Sequence, residues 1–135
     1  MPRMQRDVLR REVELRLSAH PDSVAAARRH IATLAAAFVP RDRQSDLTLV
    51  VSEVVSNAIR HGAEGSTIEL RAVPGDDHLR VEVTDAGPGL APRPRATEPS
   101  EGGGFGLFLV DQLVRRWGLV RQRGTTRVWF EFDLE

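Results

Sequence analysis

The sequence contains no cysteine and no lysine, and each of these absences excludes a class of chemistry. Without cysteine, the chain can form no disulfide, thiolate nucleophile or cysteine-ligated zinc site. All 19 basic residues are arginine. The chain therefore has neither the lysine of a Walker A phosphate loop nor the ATP-binding lysine of eukaryotic-type protein kinases. Any nucleotide must be bound by another set of residues.

An excess of charge of one sign and long apolar runs are also missing. The formal net charge is zero, so no overall field attracts nucleic acid or anionic lipid. The amino terminus lacks the apolar core of a signal peptide, and the longest apolar run, IATLAAAFV, is too short to span a bilayer. We expect a soluble cytoplasmic protein whose partners are neither nucleic acid nor membrane.

With 135 residues, 41% of them hydrophobic, the chain is long enough for one compact domain, which we expect to span residues 1–135. Apolar periodicity in the first half predicts a strand over 13–19, a helix capped by Asp22 or Ser23 that runs to about Phe38, and a helix from about Arg43 to His61 capped by Gly62.

The second half of the chain is predicted to be richer in strands. We expect a hairpin over 67–73 and 78–86, an irregular proline- and glycine-rich stretch over 86–104, a helix from Leu107 to Trp117, and a strand pair over 118–123 and 125–134. Trp117 and Trp129 are expected to pack in the core. The fold class is therefore α+β, a two-layer sandwich with a mixed, mostly antiparallel sheet covered on one face by helices.

Glu53 and Asn57 lie one helical turn apart, so their side chains project side by side at the edge of an apolar face. Such a pair is common on a solvated helix edge. A functional interpretation gives each residue a task. The amide oxygen of Asn57 is a ligand that Mg²⁺ accepts, and the carboxylate of Glu53 can orient or deprotonate a nucleophile.

Asp85 ends a strand of alternating valines, and Gly87 and Gly89 follow it. Aspartate and glycine are also the ordinary residues of a turn. Held at a strand end beside bare backbone, however, Asp85 could accept a hydrogen bond from the amino group of adenine, while the glycines let the ring approach. A carboxylate accepts a hydrogen bond from an amino group but not from a carbonyl, which favours adenine over guanine.

Four glycines, Gly102, Gly103, Gly104 and Gly106, directly precede an apolar helix. A flexible linker has a similar composition. Phe105 interrupts the glycines, though, and the helix begins at once. Free backbone N–H groups and the positive end of a helix form a natural phosphate site.

The three motifs occur in the order E-x-x-x-N, D-x-G-x-G and a glycine-rich loop leading into GLFLV. In this order they resemble the ATPase superfamily of gyrase, histidine kinases and mismatch-repair clamps. The stretches PDSVAAARRH, VVSEVVSNAIRHG, VTDAGPGL, GGGFGLFLVDQLVRRWG and TTRVWFEF are similar to the small bacterial anti-sigma factor serine/threonine kinases, in particular to actinobacterial members. The resemblance spans nearly the whole chain.

The resemblance implies a Bergerat-type ATP-binding fold and a role for each motif residue. It makes Glu53 the catalytic base, Asn57 the Mg²⁺ ligand and Asp85 the adenine acceptor. Residues 91–104 become the ATP lid and glycine-rich loop. The remaining nucleotide-binding residues that it implies are Gly87 and Gly89 at the adenine, Gly102, Gly104 and Gly106 at the phosphates, Phe105 and Leu107 beside these glycines, and either Thr125 or Thr126 on the last strand.

The function implied by the resemblance is that of an ATP- and Mg²⁺-dependent anti-sigma factor. Such a protein phosphorylates a serine on a STAS-type anti-anti-sigma partner, sequesters a sigma factor and forms a homodimer. An alternative is a regulatory module in which ATP sets the affinity for a partner and no phosphate is transferred. A detached ATPase clamp of the gyrase or repair type fits poorly, because such clamps need a transducing domain.

Overall fold

The computed structural model describes residues 12–61, 65–85, 104–122 and 124–134. Its helices and strands are, in chain order, β1 (Val13–Ser18), α1 (Asp22–Phe38), a short 3₁₀ turn (Arg41–Arg43), α2 (Gln44–His61), β2 (Thr67–Pro74), β3 (His78–Asp85), α3 (Gly104–Leu113), β4 (Arg116–Gln122) and β5 (Thr125–Asp133). Within these ranges, no helix is both long enough and apolar enough to cross a membrane.

The five strands form one sheet in the order β1-β2-β3-β5-β4. All four pairings are antiparallel. In β2 and β3 every second side chain is buried, and those residues pack with the apolar faces of the three helices in a single core. The predicted α+β two-layer sandwich is confirmed. Its sheet was expected to be mixed and mostly antiparallel, and all the strand pairs described are antiparallel.

The start of α1 differs from the predicted cap. The residue before the helix is Pro21, which supplies no side-chain cap. Instead, the N–H of Asp22 donates to Nδ1 of His20 at 3.1 Å. The hydroxyl of Ser23 donates to the carbonyl of Ser18 at 2.7 Å, so Ser23 ties α1 to β1 and is not a cap.

The predicted helix from Leu107 to Trp117 was too long at its carboxyl end and too short at its amino end. Helix α3 begins at Gly104 and ends at Leu113, and Trp117 belongs to β4. Pairing with β5 decides the boundary, because backbone hydrogen bonds across the sheet override the weak helical preference of this segment. Trp117 does pack against the core, and its indole N–H donates to Asp111 at 2.9 Å.

The expected core position of Trp129 was wrong. Its neighbours Val128 and Phe130 are buried in the core, so the alternation of a strand directs Trp129 to the outer face of the sheet. There the ring lies against Gly118, where an added Cβ would approach it to 2.6 Å. The guanidinium of Arg80 stacks on the ring with its carbon 4.3 Å from the centroid.

A charge network centred on Glu131 completes this outer face. Arg116 donates to both carboxylate oxygens, at 2.7 and 3.2 Å, and Arg80 adds a third bond at 3.3 Å. Only 7% of the Glu131 side chain is exposed. The hydrogen bond and charge of Arg116, with a smaller contribution from Arg80, hold the pKa of Glu131 below its ordinary value, against the opposing effect of burial.

We expect Glu131→Gln to lower the free energy of unfolding by about 1–2 kcal/mol at neutral pH, since it removes a charged hydrogen-bond acceptor. Because the folded-state pKa is depressed, this stabilisation is present above the ordinary pKa of glutamate and is lost as the pH falls through the folded pKa. Urea titrations at neutral and acidic pH measure it.

The matched control is Glu69→Gln, which removes an exposed partner of Arg16 at 3.5 Å and should change stability by less than about 0.5 kcal/mol. Equal losses in the two variants, or a loss in Glu131→Gln that persists at acidic pH, would contradict the assignment.

Candidate functional site

Asn57 lies deeper in the structure than its sequence pattern indicated. It continues the buried stripe of α2 formed by Leu47, Val50 and Val54, and only 5% of the residue is exposed. The helical periodicity of the sequence predicts Asn57 at the edge of this stripe, together with Glu53. The structure leaves Glu53 half-buried at that edge, one turn before Asn57.

Among the residues that the structure describes, none forms a hydrogen bond that would account for the burial of the Asn57 side chain. Neither its Oδ1 nor its Nδ2 finds a hydrogen-bond partner among the described residues, although both atoms are shielded from solvent. An unsatisfied buried amide costs about 1–3 kcal/mol. Such a residue in an otherwise apolar stripe indicates a group that bonds to ligand or water.

Asp85 is the last residue of β3 and lies opposite Ile68 of β2 and Thr126 of β5. Its side chain shares the helix-facing side of the sheet with Val81 and Val83, because alternate residues of a strand share a face. The carboxylate is therefore at the end of the sheet and on the side where the helices pack.

The structure distinguishes the two threonines of β5. Thr126 shares a face with Val128 and Phe130, which are buried against the helices. Thr125 lies on the outer face with Trp129. Of the two, only Thr126 is both opposite Asp85 and on the same face.

The start of α3 lies toward the same end of the sheet. Only two residues separate the end of α3 from the start of β4, so α3 runs back along β4. Because β4 ends beside the first residues of β5, the start of α3 lies near the end of the sheet that carries Thr126. Gly104 and Gly106 belong to the first turn of α3, with Phe105 between them. Leu107 is 4% exposed and part of the core.

Helix α2 reaches this end as well. It ends at His61, shortly before β2 begins at Thr67, and it packs on both β3 and α3. Asn57, near the end of α2, thus lies toward the same end of the sheet as Asp85, Thr126 and the start of α3. The predicted residues Gly87, Gly89 and Gly102, and the predicted lid up to 103, lie outside the described residues.

Two residues at this end were missed by the sequence analysis. The hydroxyl of Ser66 donates to Oδ1 of Asp85 at 3.4 Å, and Arg121 lies opposite Thr126 in β4, on the same face. Neither belongs to a recognisable motif. Only the register of the strands places them, and no local pattern specifies that register.

The described residues contain no cluster of three or more His, Asp or Glu side chains that could hold a metal ion. Mg²⁺ is usually bound by one or two protein oxygens together with waters and substrate phosphates, and the buried amide oxygen of Asn57 is an oxygen of this kind.

Comparisons with known proteins bear on the family and the fold of the chain. The family model described as histidine kinase-like ATPase domain matches residues 17–132. An anti-sigma F factor of Clostridium acetobutylicum is 35% identical over 95 residues, which are 68% of this chain and 66% of that protein. A serine-protein kinase RsbW of Listeria monocytogenes is 27% identical over 136 residues, covering 90% of this chain and 87% of the kinase.

Among solved structures, the RsbU and RsbW domains of Rv1364c from Mycobacterium tuberculosis superpose with a TM-score of 0.67 at 20% identity, over 92% of this chain and 32% of that one. At this identity the likeness concerns the fold. The match to the family model covers most of the chain and confirms the resemblance inferred from the motifs. The chain belongs to the histidine kinase-like ATPase domain family.

Proposed function

We propose that the protein is an anti-sigma factor kinase that binds ATP with Mg²⁺, phosphorylates a serine of an anti-anti-sigma partner, and sequesters a sigma factor in its other state. The observation that carries the proposal is the buried amide of Asn57, which has no hydrogen-bond partner in the described parts of the chain and lies toward the end of the sheet that holds Asp85 and Thr126. The names of the Clostridium and Listeria relatives, an anti-sigma F factor and a serine-protein kinase, support both the anti-sigma role and the kinase activity.

Each residue has a role that its chemistry allows. Asp85 accepts a hydrogen bond from the adenine amino group, and Thr126 on the adjacent strand offers a hydroxyl beside it. Asn57 holds Mg²⁺ through its amide oxygen, and Mg²⁺ bound there would neutralise charge on the phosphate oxygens. The first turn of α3 directs free N–H groups toward the phosphates.

Glu53 accepts the proton of the attacking serine hydroxyl. As the new bond between the serine oxygen and the γ-phosphorus forms, the bond to the β-phosphate oxygen breaks, and ADP leaves with that electron pair. Glu53 is half-buried at the edge of α2, one turn from Asn57, so it can face both solvent and a partner protein. Positioning and charge compensation account for most of the catalysis in this class of reaction.

Asn57→Leu should increase the stability of the protein and abolish its binding of ATP with Mg²⁺. Replacing an unsatisfied buried amide with an apolar side chain of similar size should raise the free energy of unfolding of the ligand-free protein by about 1 kcal/mol. The same variant should lose the thermal stabilisation that ATP with Mg²⁺ gives to the wild type. Melting curves with and without ATP and Mg²⁺ measure both effects.

The control is Ser56→Ala on the same helix, which should leave both curves unchanged. A ligand-free Asn57→Leu protein that is clearly less stable than the wild type would mean that the amide is satisfied within the protein.

Asp85→Asn should weaken ATP binding about 10- to 100-fold, because it replaces a charge-assisted hydrogen bond with one to a neutral amide. Isothermal titration calorimetry gives the affinity. Asp76→Asn, in the turn at the other end of the β2–β3 hairpin, should bind ATP as the wild type does. An unchanged affinity in Asp85→Asn would place adenine elsewhere.

Glu53→Gln should reduce transfer of phosphate to an anti-anti-sigma partner at least about 100-fold, the usual contribution of a general base, while ATP affinity changes little. Labelling of the partner with radioactive ATP measures the rate, and Glu69→Gln on the outer sheet face is the control. Equal labelling of the partner by Glu53→Gln and by the wild type would contradict the assignment of Glu53 as the general base. Binding of ATP without labelling by the wild type would favour the regulatory module.

A further inference from the structure

The carboxylate of Asp85 is held from one side by a residue outside the sequence motifs. Ser66 lies two positions before Ile68, the residue opposite Asp85 in β2, so it shares the helix-facing side of the sheet. Its hydroxyl donates to Oδ1 of Asp85 at 3.4 Å. Hydrogen bonds of this length in binding sites often shorten when a ligand binds.

The backbone fixes Ser66 independently of its side chain. The carbonyl of Ser66 accepts a hydrogen bond from the N–H of Ala19 at 2.9 Å, one residue beyond β1. Gly65, directly before it, adopts φ = +79°, a conformation that glycine takes readily and other residues rarely adopt. The backbone of Ser66 is therefore bonded to the residue that follows β1 and continues directly into β2.

The two oxygens of Asp85 thereby become inequivalent. A carboxylate can rotate about its terminal torsion over a broad range, and an adenine amino group needs one oxygen in one direction. A hydroxyl bonded to Oδ1 restricts that rotation and favours one orientation of the carboxylate. Preorganisation of this kind raises affinity by reducing the ordering required on binding.

We propose that Ser66 is a positioning residue that orients Asp85 for the amino group of a 6-aminopurine. The inference rests on the proposed nucleotide function and adds a specificity determinant to it. Ser66 acts through Asp85 and need not contact the nucleotide. Its effect must therefore depend on the amino group that Asp85 recognises.

The experiment compares Ser66→Ala with the wild type for two ligands, ATP and inosine triphosphate, by calorimetry in the presence of Mg²⁺. Inosine carries a carbonyl oxygen in place of the amino group, so Asp85 gains nothing from it. Ser66→Ala should weaken ATP binding about 3- to 10-fold, in line with the loss of one hydrogen bond. The affinity for inosine triphosphate should stay within about twofold.

Two further variants separate positioning from folding. Ser66→Thr keeps the hydroxyl and should restore the preference for ATP, and Thr67→Ala removes a neighbouring hydroxyl that is exposed and should change neither affinity. Equal weakening of both ligands by Ser66→Ala would indicate a general structural effect and overturn the proposal. Unchanged affinities for both ligands would overturn it as well.

The ATP affinity of Asp85→Asn distinguishes a failure of the proposed nucleotide function from a failure of the role proposed for Ser66. If Asp85→Asn weakens ATP binding and Ser66→Ala does not, the nucleotide function stands and the role of Ser66 fails. If the wild type does not discriminate between ATP and inosine triphosphate, the adenine assignment of Asp85 fails first.

Discussion

Strands β3 and β5 pair along their whole length, although α3 and β4 lie between them in the chain. This one pairing sets Asp85 opposite Thr126 on the helix-facing side. On the outer side it places Arg80 within hydrogen-bonding distance of Glu131. The candidate site and the polar network of the open face therefore depend on the same register. A slip of β5 by one residue would turn Thr126 to the outer face, away from the helices and from Asp85.

The two faces of the sheet satisfy opposite requirements. The helix-facing side carries the apolar core, and at its end it carries the few polar groups proposed to bind nucleotide. The outer face carries charges that are paired among themselves, as Glu131 is with Arg116 and Arg80. Trp129 belongs to this outer face, where two arginines and Gly118 cover its ring. Antiparallel sheets commonly keep one such solvated face.

Alternation and apolar periodicity were sufficient to predict the strands, the first two helices and the fold class. The carboxyl end of α3 was mispredicted because β4 pairs with β5 over residues that have no strong preference of their own. The motifs marked Asn57 and Asp85 as candidates, but they did not predict how deeply Asn57 is buried or which of Thr125 and Thr126 faces the helices. These features, like the contact of Ser66 with Asp85, follow from tertiary register, which local sequence does not encode.

A buried amide without a partner is a cost that a protein retains where function requires it. On this account, Asn57 is the point where stability is given up for binding, and nucleotide with metal supplies the missing bonds. The most direct test is a crystal structure with Mg²⁺ and a non-hydrolysable ATP analogue. The account predicts the metal at the Asn57 amide oxygen and the adenine amino group at the Asp85 carboxylate. A nucleotide bound away from both residues would contradict it.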